Sequence, residues 1–346
     1  MYVIRPVKKD DLNDLVQLAK SSGSGLTTLP ADKDVLAERI DLSIASFSGD
    51  YEKVDEPCYL FVAEDLDKKQ VIGTSAIFAK VGKVNPFYNY RILSLMQVSK
   101  EPAIKVETQL LTLANDYAGA SELGTLYLNP EYRSTGVGRA LSKCRYMLLA
   151  SYPQRFSNII MAEVRGWTDD DGQSPFWNAV GRNFFNMEFA EADLINGQGN
   201  NQFIGDLMPK FPIYTNLLPE SARAVIGVPH VKSDAALKLL QKEGFKARGA
   251  VDIFDAGPIV EAHIDHIKSV SDATRAVVSV VDSLPDARTS LVCSPYLEDF
   301  RVVNIPIVLQ DGNKGKILID AASAKILKVE DGMEVIYLPI IDYKNN

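Results

Sequence analysis

The chain has 346 residues, 46% of them hydrophobic and 24% charged, with a formal net charge of −8. That length suggests two domains, or one large domain with an appendage; the charge disfavours nucleic acid as a partner, and no apolar run approaches membrane-spanning length. The three cysteines (Cys58, Cys144, Cys293) are odd in number and far apart, so neither a disulfide framework nor a metal cluster is expected, and a reducing compartment fits best. The first residues read as neither a signal nor a transit peptide, so a cytoplasmic globular protein is the expectation.

Residues 2–7 read as a first strand. Asp10-Asp11 then opens a helix carrying Leu12, Leu15, Val16 and Leu18 on one face. Residues 24–30 are a loop, and Asp32 opens a second helix through Leu36, Ile40 and Ile44. Residues 59–63 and 71–78 read as paired strands around a polar turn. The aromatic-rich stretch 85–91 precedes another strand at 92–98.

The most informative stretch follows. Leu123-Gly124-Thr125-Leu126-Tyr127-Leu128 is an apolar strand stopped by Asn129-Pro130, because Pro cannot donate to a ladder. Next comes the loop Arg133-Ser134-Thr135-Gly136-Val137-Gly138-Arg139. Val137, Ala140, Leu141, Cys144 and Leu148 then recur at helical spacing. Strand, glycine loop, helix points backbone N–H groups at an anion. Gly136 and Gly138 remove side chains where a diphosphate must come close, and Arg133 and Arg139 add positive charge. An ordinary βα turn would use the same glycines for tight packing. The loop resembles the Arg/Gln-x-x-Gly-x-Gly/Ala loop of the GCN5-related N-acetyltransferase superfamily (GNAT), which holds the pyrophosphate of an acyl-coenzyme A. The order of elements up to this loop also resembles that superfamily.

Residues 159–164 read as the next strand. Residues 174–185 resemble the superfamily's second motif, a helix ending in Gly-Phe beside the cofactor's thiol end. Residues 193–201 read as a polar loop, 224–228 as a strand and 233–245 as a helix. Strand, polar link, helix and Gly-aromatic thus recur at 159–185 and 224–245. The pattern suggests a partial internal duplication; helices ending in Gly also look alike by chance. Short β runs follow at 277–281, 289–293, 300–303, 317–320 and 335–338, with a turn at 311–315. The expected fold is α/β (α+β): a GNAT-like mixed sheet flanked by helices over 1–195, a second, half-related lobe over 196–274, and a small β-barrel-like appendage over 275–346.

Several segments together resemble one family, arginine N-succinyltransferase. Among them are Gly25-Leu26-Thr27-Thr28-Leu29-Pro30, Tyr88-Asn89-Tyr90-Arg91, Ser174-Pro175-Phe176-Trp177, Leu207-Met208-Pro209-Lys210, Pro212-Ile213-Tyr214-Thr215 and Ile253-Phe254-Asp255-Ala256-Gly257-Pro258. The likeness spans nearly the whole chain. It implies transfer of succinyl from succinyl-coenzyme A to the α-amino group of L-arginine, the first step of arginine breakdown by the succinyl-transfer route. Some members work as pairs of related chains, so a homo-oligomer or such a pair is expected. The resemblance also implies that the histidine of Val225-Ile226-Gly227-Val228-Pro229-His230 is the proton donor, and that Leu126 contacts succinyl-coenzyme A. Leu128 and the residues 133–139 complete the expected cofactor site.

The chemistry agrees. The acceptor amine must lose a proton and the leaving thiolate must gain one, which suits a group titrating near neutrality. Only three histidines exist, and His263 and His266 lie in a charged segment. Many superfamily relatives place a proton-donating tyrosine four residues before the motif glycine; here that position is Trp177 or Leu240. Glu163 is the runner-up acid/base. Cys144 reads as core, so direct transfer in a ternary complex is expected, without a metal. Backbone N–H groups of the split central strand would polarise the thioester carbonyl. Thr27, Tyr90 and Arg91 are expected at the substrate, with Leu26, Thr27 and Thr28 at the acyl pocket. Arg91, Arg182 and Lys210 are candidate cations for the substrates' carboxylates. Asp169, Asp170, Asp171, Asp206, Asp252 and Asp255 are candidate acids for the guanidinium. Two alternatives stay open: another amine acceptor such as ornithine, and a non-catalytic acyl-coenzyme A-binding partner subunit.

Overall fold

The structure, a computed structural model, describes residues 1–23, 26–48, 54–197, 202–310 and 315–339. The expected loop and turn residues 24–25 and 311–314, and the end of the expected loop at 198–201, lie outside the described residues. Strands β1 (Tyr2–Pro6), β2 (Cys58–Asp65), β3 (Gln70–Phe78), β4 (Asn89–Ser99), β5 (Ile104–Ala114), β6 (Ser121–Leu128) and β7 (Ile159–Glu163) come first. They are followed by β8 (Ile213–Tyr214), β9 (Lys246–Val251) and β10 (Pro258–His263), then by β11 (Thr274–Val281), β12 (Arg288–Cys293), β13 (Val302–Leu309), β14 (Lys316–Asp320) and β15 (Glu334–Pro339). The helices are α1 (Leu12–Ser22), α2 (Lys33–Phe47), α3 (Val137–Ser151), α4 (Pro175–Ala179), α5 (Gly181–Phe185), α6 (Phe189–Gly197), α7 (Gln202–Leu207), α8 (Glu220–Ala224), α9 (Asp234–Lys242), α10 (Lys268–Ser271) and α11 (Ala321–Leu327).

The expected mixed sheet flanked by helices is present. Its central run is β1-β2-β3-β6-β7-β10-β9-β4-β5-β8, antiparallel except where β6 meets β7. Alternate side chains of a strand face opposite sides, and β2 is buried on both. Tyr59, Phe61 and Ala63 pack with Val137, Ala140, Leu141 and Cys144 of α3. Cys58, Leu60 and Val62 pack with Leu15, Leu18, Leu36 and Ile40 of α1 and α2. No helix among the described residues is long and apolar enough to cross a membrane.

Several expectations change. The strand at 92–98 is one arm of a long hairpin, paired from Asn89↔Ala114 to Ser99↔Ile104. The other arm, β5, was not legible because its outer residues are mixed in polarity and exposed. Residues 224–228 form no strand: α8 ends there, and Gly227 N–H donates to Ala256 O at 2.8 Å instead of to a ladder. The supposed duplication therefore has a strand in only one of its two halves. The helix expected at 174–185 breaks at Val180 (φ −119°, ψ −76°) into α4 and α5. Its Phe176, Trp177 and Phe185 pack into a separate core with Tyr90 and Phe254. The helix that ends before Gly-Phe and faces the cleft is α9, ahead of Gly244-Phe245. Part of the loop expected at 193–201 is helix α6.

The sheet also runs through the division expected at residue 195. Strand β10 pairs with β7 over five residues, and β9 with β10, so both lie within the first lobe's sheet. The last five strands form a ring, because β12 pairs with both β15 and β13. Ala276, Val278, Val292, Ile305, Ile317 and Val335 fill it, and it joins the main sheet through Ile4↔Val302.

Candidate active site

Strands β6 and β7 pair only at Ser121↔Ile160 and Glu122↔Met161. Beyond those pairs they diverge, and a cavity of about 410 Å³ opens between them. At the split, Ala76 of β3 faces Gly124 and Thr74 faces Tyr127, so Thr125 and Leu126 bulge opposite Ser75. Thr125 sits at φ +57°. Its N–H donates to Thr28 Oγ1 at 2.9 Å, and its hydroxyl donates to Thr28 O at 3.0 Å. Gly124 permits this: a Cβ there would lie 2.9 Å from Phe78 and 3.3 Å from Thr28. Arg39 of α2 donates to the Thr28 carbonyl from behind. Leu26, Thr27 and Thr28 therefore line the cavity beside the bulge.

The anion end lies where β6 turns into α3. A single 3₁₀ turn, Pro130–Tyr132, is capped by Asn129 and tied off by Thr135 Oγ1 donating to Tyr132 O at 2.6 Å. Gly136 then takes φ +90° to start α3, a conformation that favours glycine. The first turn of α3 holds no acid, and no side chain caps it. Its amides are thus left for an external acceptor, at the positive end of the helix dipole. Arg133, Ser134, Thr135, Gly136 and Arg139 are exposed around them, while Val137 is buried beneath. Leu126, Leu128 and Arg133 line the cavity. A diphosphate fits this cradle by the chemistry of its donors.

His230 faces the same cavity from the other side. Its backbone N–H donates to Arg165 O at 2.8 Å, next to a bridge between Gly166 and Pro229, which ties the loop after β7 to the segment before α9. Nδ1 accepts from Lys232 N–H at 3.1 Å, so the ring hydrogen of the neutral form sits on Nε2. Burial, then the charges of Arg165 and Lys232, hold its pKa below the usual histidine value. These effects favour the neutral imidazole.

Carboxyls crowd one end of the cavity: Glu122, Glu163, Asp193, Asp252 and Asp255. Burial pushes Glu122 up to about 7, with Arg39 opposing. Burial, then Asp252, pushes Asp193 up to about 6, with Arg165 opposing. Glu163 is raised well above its ordinary value by burial and by the charges of Asp252, Glu122, Asp255 and Asp193. Asp255 is structural: its two oxygens accept from Gly166 N–H at 2.7 Å and Gly257 N–H at 2.8 Å.

With this geometry in view, the comparisons with known proteins are direct. The family model for the arginine N-succinyltransferase beta subunit matches residues 2–269, and the model for that subunit's C-terminal domain matches 274–339. This chain belongs to the arginine N-succinyltransferase beta subunit family. It is 42% identical to the arginine N-succinyltransferase subunit beta of Pseudomonas aeruginosa, over 98% of both chains. It is also 42% identical to the arginine N-succinyltransferase of Yersinia enterocolitica, over 90% of each. The solved arginine/ornithine succinyltransferase subunit AI from Pseudomonas aeruginosa matches with a TM-score of 0.89 at 32% identity, over 99% of both chains. As a member of this family the chain is an acyltransferase.

Within this acyltransferase, the expected substrate residues separate. Thr27 lines the cavity. Tyr90 does not: it is 0% exposed, its hydroxyl lies against Met208 Sδ, and it packs with Phe176 and Trp177. Arg91 turns to a different surface, where it pairs with Asp116 at 2.6 Å and covers the Tyr117 ring. One-residue alternation along β4 sends the two side chains to opposite faces, and neither face meets the cavity. Arg182 is engaged with Glu188, and Lys210 is exposed outside the cavity. The cavity's own cations are Arg133, Arg145, Arg165 and Lys232. Arg145 is 2% exposed and donates to the Ser142 carbonyl and hydroxyl. Of the candidate acids, Asp169 closes its own turn and Asp206 bonds Gln202, whereas Asp252 and Asp255 reach the cavity. Glu122, a lone charge in an apolar strand, had a readable signal. Asp193 had none.

Proposed function

We propose that this chain transfers succinyl from succinyl-coenzyme A to the α-amino nitrogen of L-arginine, by direct transfer in a ternary complex. The observation that carries the reading is that His230 lines one cavity with Leu126, Leu128 and Arg133, the last of them three residues ahead of Gly136 at the uncapped start of α3, in a chain 42% identical to a named arginine N-succinyltransferase. The amides of Gly136, Val137 and Gly138, with Arg133, Ser134, Thr135 and Arg139, take the diphosphate. The acyl-carrying arm then runs past Leu128 and Leu126 into the gap between β6 and β7. At the bulge, backbone N–H groups receive the charge that develops on the thioester oxygen.

The deprotonated acceptor nitrogen attacks the thioester carbon, a C–N bond forms and the C–S bond breaks. The Nε2–H of His230 hydrogen-bonds the sulfur as it leaves, and the proton shed by the acceptor nitrogen passes to that sulfur, giving free coenzyme A and the amide. The imidazole thus ends as it began. We read the working assembly as more than one chain, a homo-oligomer or a pair of related chains; relatives named as subunits support this. A cytoplasmic location belongs to the same reading, supported by three buried, unpaired cysteines.

Coenzyme A release from succinyl-coenzyme A, measured with arginine, ornithine, lysine and polyamines in turn, tests the proposal. Release with arginine is expected. Succinyl-coenzyme A binding without release for any acceptor overturns it in favour of a non-catalytic subunit.

A further inference from the structure

We propose that Glu163, Asp193 and Asp252 bind the guanidinium of the acceptor, against the rings of Phe189 and Phe254. This rests on the reading of arginine as acceptor and adds the residues that select it.

The three acids come from different elements: the end of β7, helix α6 and the turn after β9. All three line the cavity with Phe189 and Phe254. Asp252 raises the pKa of both Asp193 and Glu163, so the three feel one another's charge at close range. Neither Glu163 nor Asp193 accepts a hydrogen bond or forms an ion pair among the described residues. Asp252 uses one oxygen, Oδ1, to accept from Phe254 N–H at 2.7 Å and Asp255 N–H at 2.8 Å. Its carboxyl also meets that of Asp255, so Asp252 comes to the site partly satisfied, with Glu163 and Asp193 supplying the open acceptors.

A separate observation points the same way. Glu122, on the facing strand, is only 7% exposed, yet its carboxyl also accepts no hydrogen bond among the described residues. Buried charges in folded proteins are paired or coordinate a ligand. A cavity in which Glu122, Glu163 and Asp193 find no hydrogen-bond donor among the described residues is one that a cationic ligand completes. Among the described residues no group of His, Cys, Asp or Glu is arranged to hold a metal ion. Spaced carboxylates beside aromatic faces suit a flat cation with several N–H donors. A site built to bond a charged group rejects the analogue that lacks it. Citrulline is that analogue: it has arginine's length and amino-acid end, with a neutral urea in place of the guanidinium.

The test measures arginine and citrulline binding by calorimetry on the full chain, wild type against Asp193→Asn and Glu163→Gln, with thermal unfolding and coenzyme A release run beside it. Wild type should bind arginine at least ~100-fold more tightly than citrulline. Each amide variant should lose at least ~10-fold of that preference while its melting temperature holds or rises, since like charges are removed. A merely structural acid would lower the melting temperature instead. Variants that keep the full preference for arginine overturn the inference, as does wild type binding both ligands equally. Arginine binding without coenzyme A release overturns the functional reading and leaves the binding site standing. No arginine binding overturns both.

Discussion

Asp193 in the cavity and Asp299 in the C-terminal ring are the same side chain under opposite conditions. Burial raises both, but at Asp299 the hydrogen bonds from Lys328 and Arg301 outweigh it, and the pKa falls below the usual carboxylate value. In the ring, Asp331 is lowered likewise by Val280 N–H and the Ser279 hydroxyl, and Arg275 pairs with Glu334. In the cavity, Glu122, Glu163, Asp193 and Asp252 are all raised. The ring satisfies its charges internally and so behaves as structure. The cavity leaves charges for something else to satisfy, at a cost in stability that binding recovers.

The contrast can be broken most sharply at the chemistry. His230→Ala should lower turnover at least ~100-fold while succinyl-coenzyme A binding, followed by calorimetry, is largely kept. Unchanged turnover removes the imidazole from the mechanism. Gly136→Asp should weaken succinyl-coenzyme A binding at least ~10-fold, because the residue needs φ +90° and a carboxylate would face the diphosphate. Unimpaired affinity would move the diphosphate away from α3.

The ring should respond with stability instead. Asp299→Asn should lower stability by about 1 kcal/mol or less, read by denaturant unfolding, with kcat and KM unchanged. Asp299 is lowered, so its contribution is present at neutral pH and lost as pH falls below the usual carboxylate value. The smallest effect belongs to Glu122→Gln. Glu122 is raised to about 7, so the folded state holds its proton more tightly than the unfolded chain does, and stability falls as pH rises from the usual carboxylate value to about 7 and levels off above it. The variant should melt no lower than wild type, with an advantage that grows from pH 5 to about pH 7. A variant less stable than wild type at pH 8 would mean that the Glu122 charge is held by Arg39 as a structural pair.

Local patterns were readable where one residue type has one physical use. Pro130 ended β6, Gly136 opened α3, and the apolar spacing of Val137, Ala140 and Leu141 assigned the helix face. The uncapped start of α3 was legible because it depends on backbone amides and a glycine turn, which neighbouring residues determine. Tyr90 and Arg91 were misplaced because alternation says that they face opposite sides, but not which side meets a cleft. The 174–185 segment misled because a helix ending near Gly-Phe occurs in this chain again at α9, and only the sheet order says which one borders the split. The acid site was hidden for a related reason. Glu163, Asp193 and Asp252 are far apart along the chain, and each alone reads as surface charge. Strand order, the divergence of β6 from β7 and the packing of α6 bring them together. The sequence by itself thus determined most of the elements of the first lobe and the glycine turn that opens α3, whose causes are local. The tertiary structure alone decided which charges share a cavity, because charge density depends on distance in space.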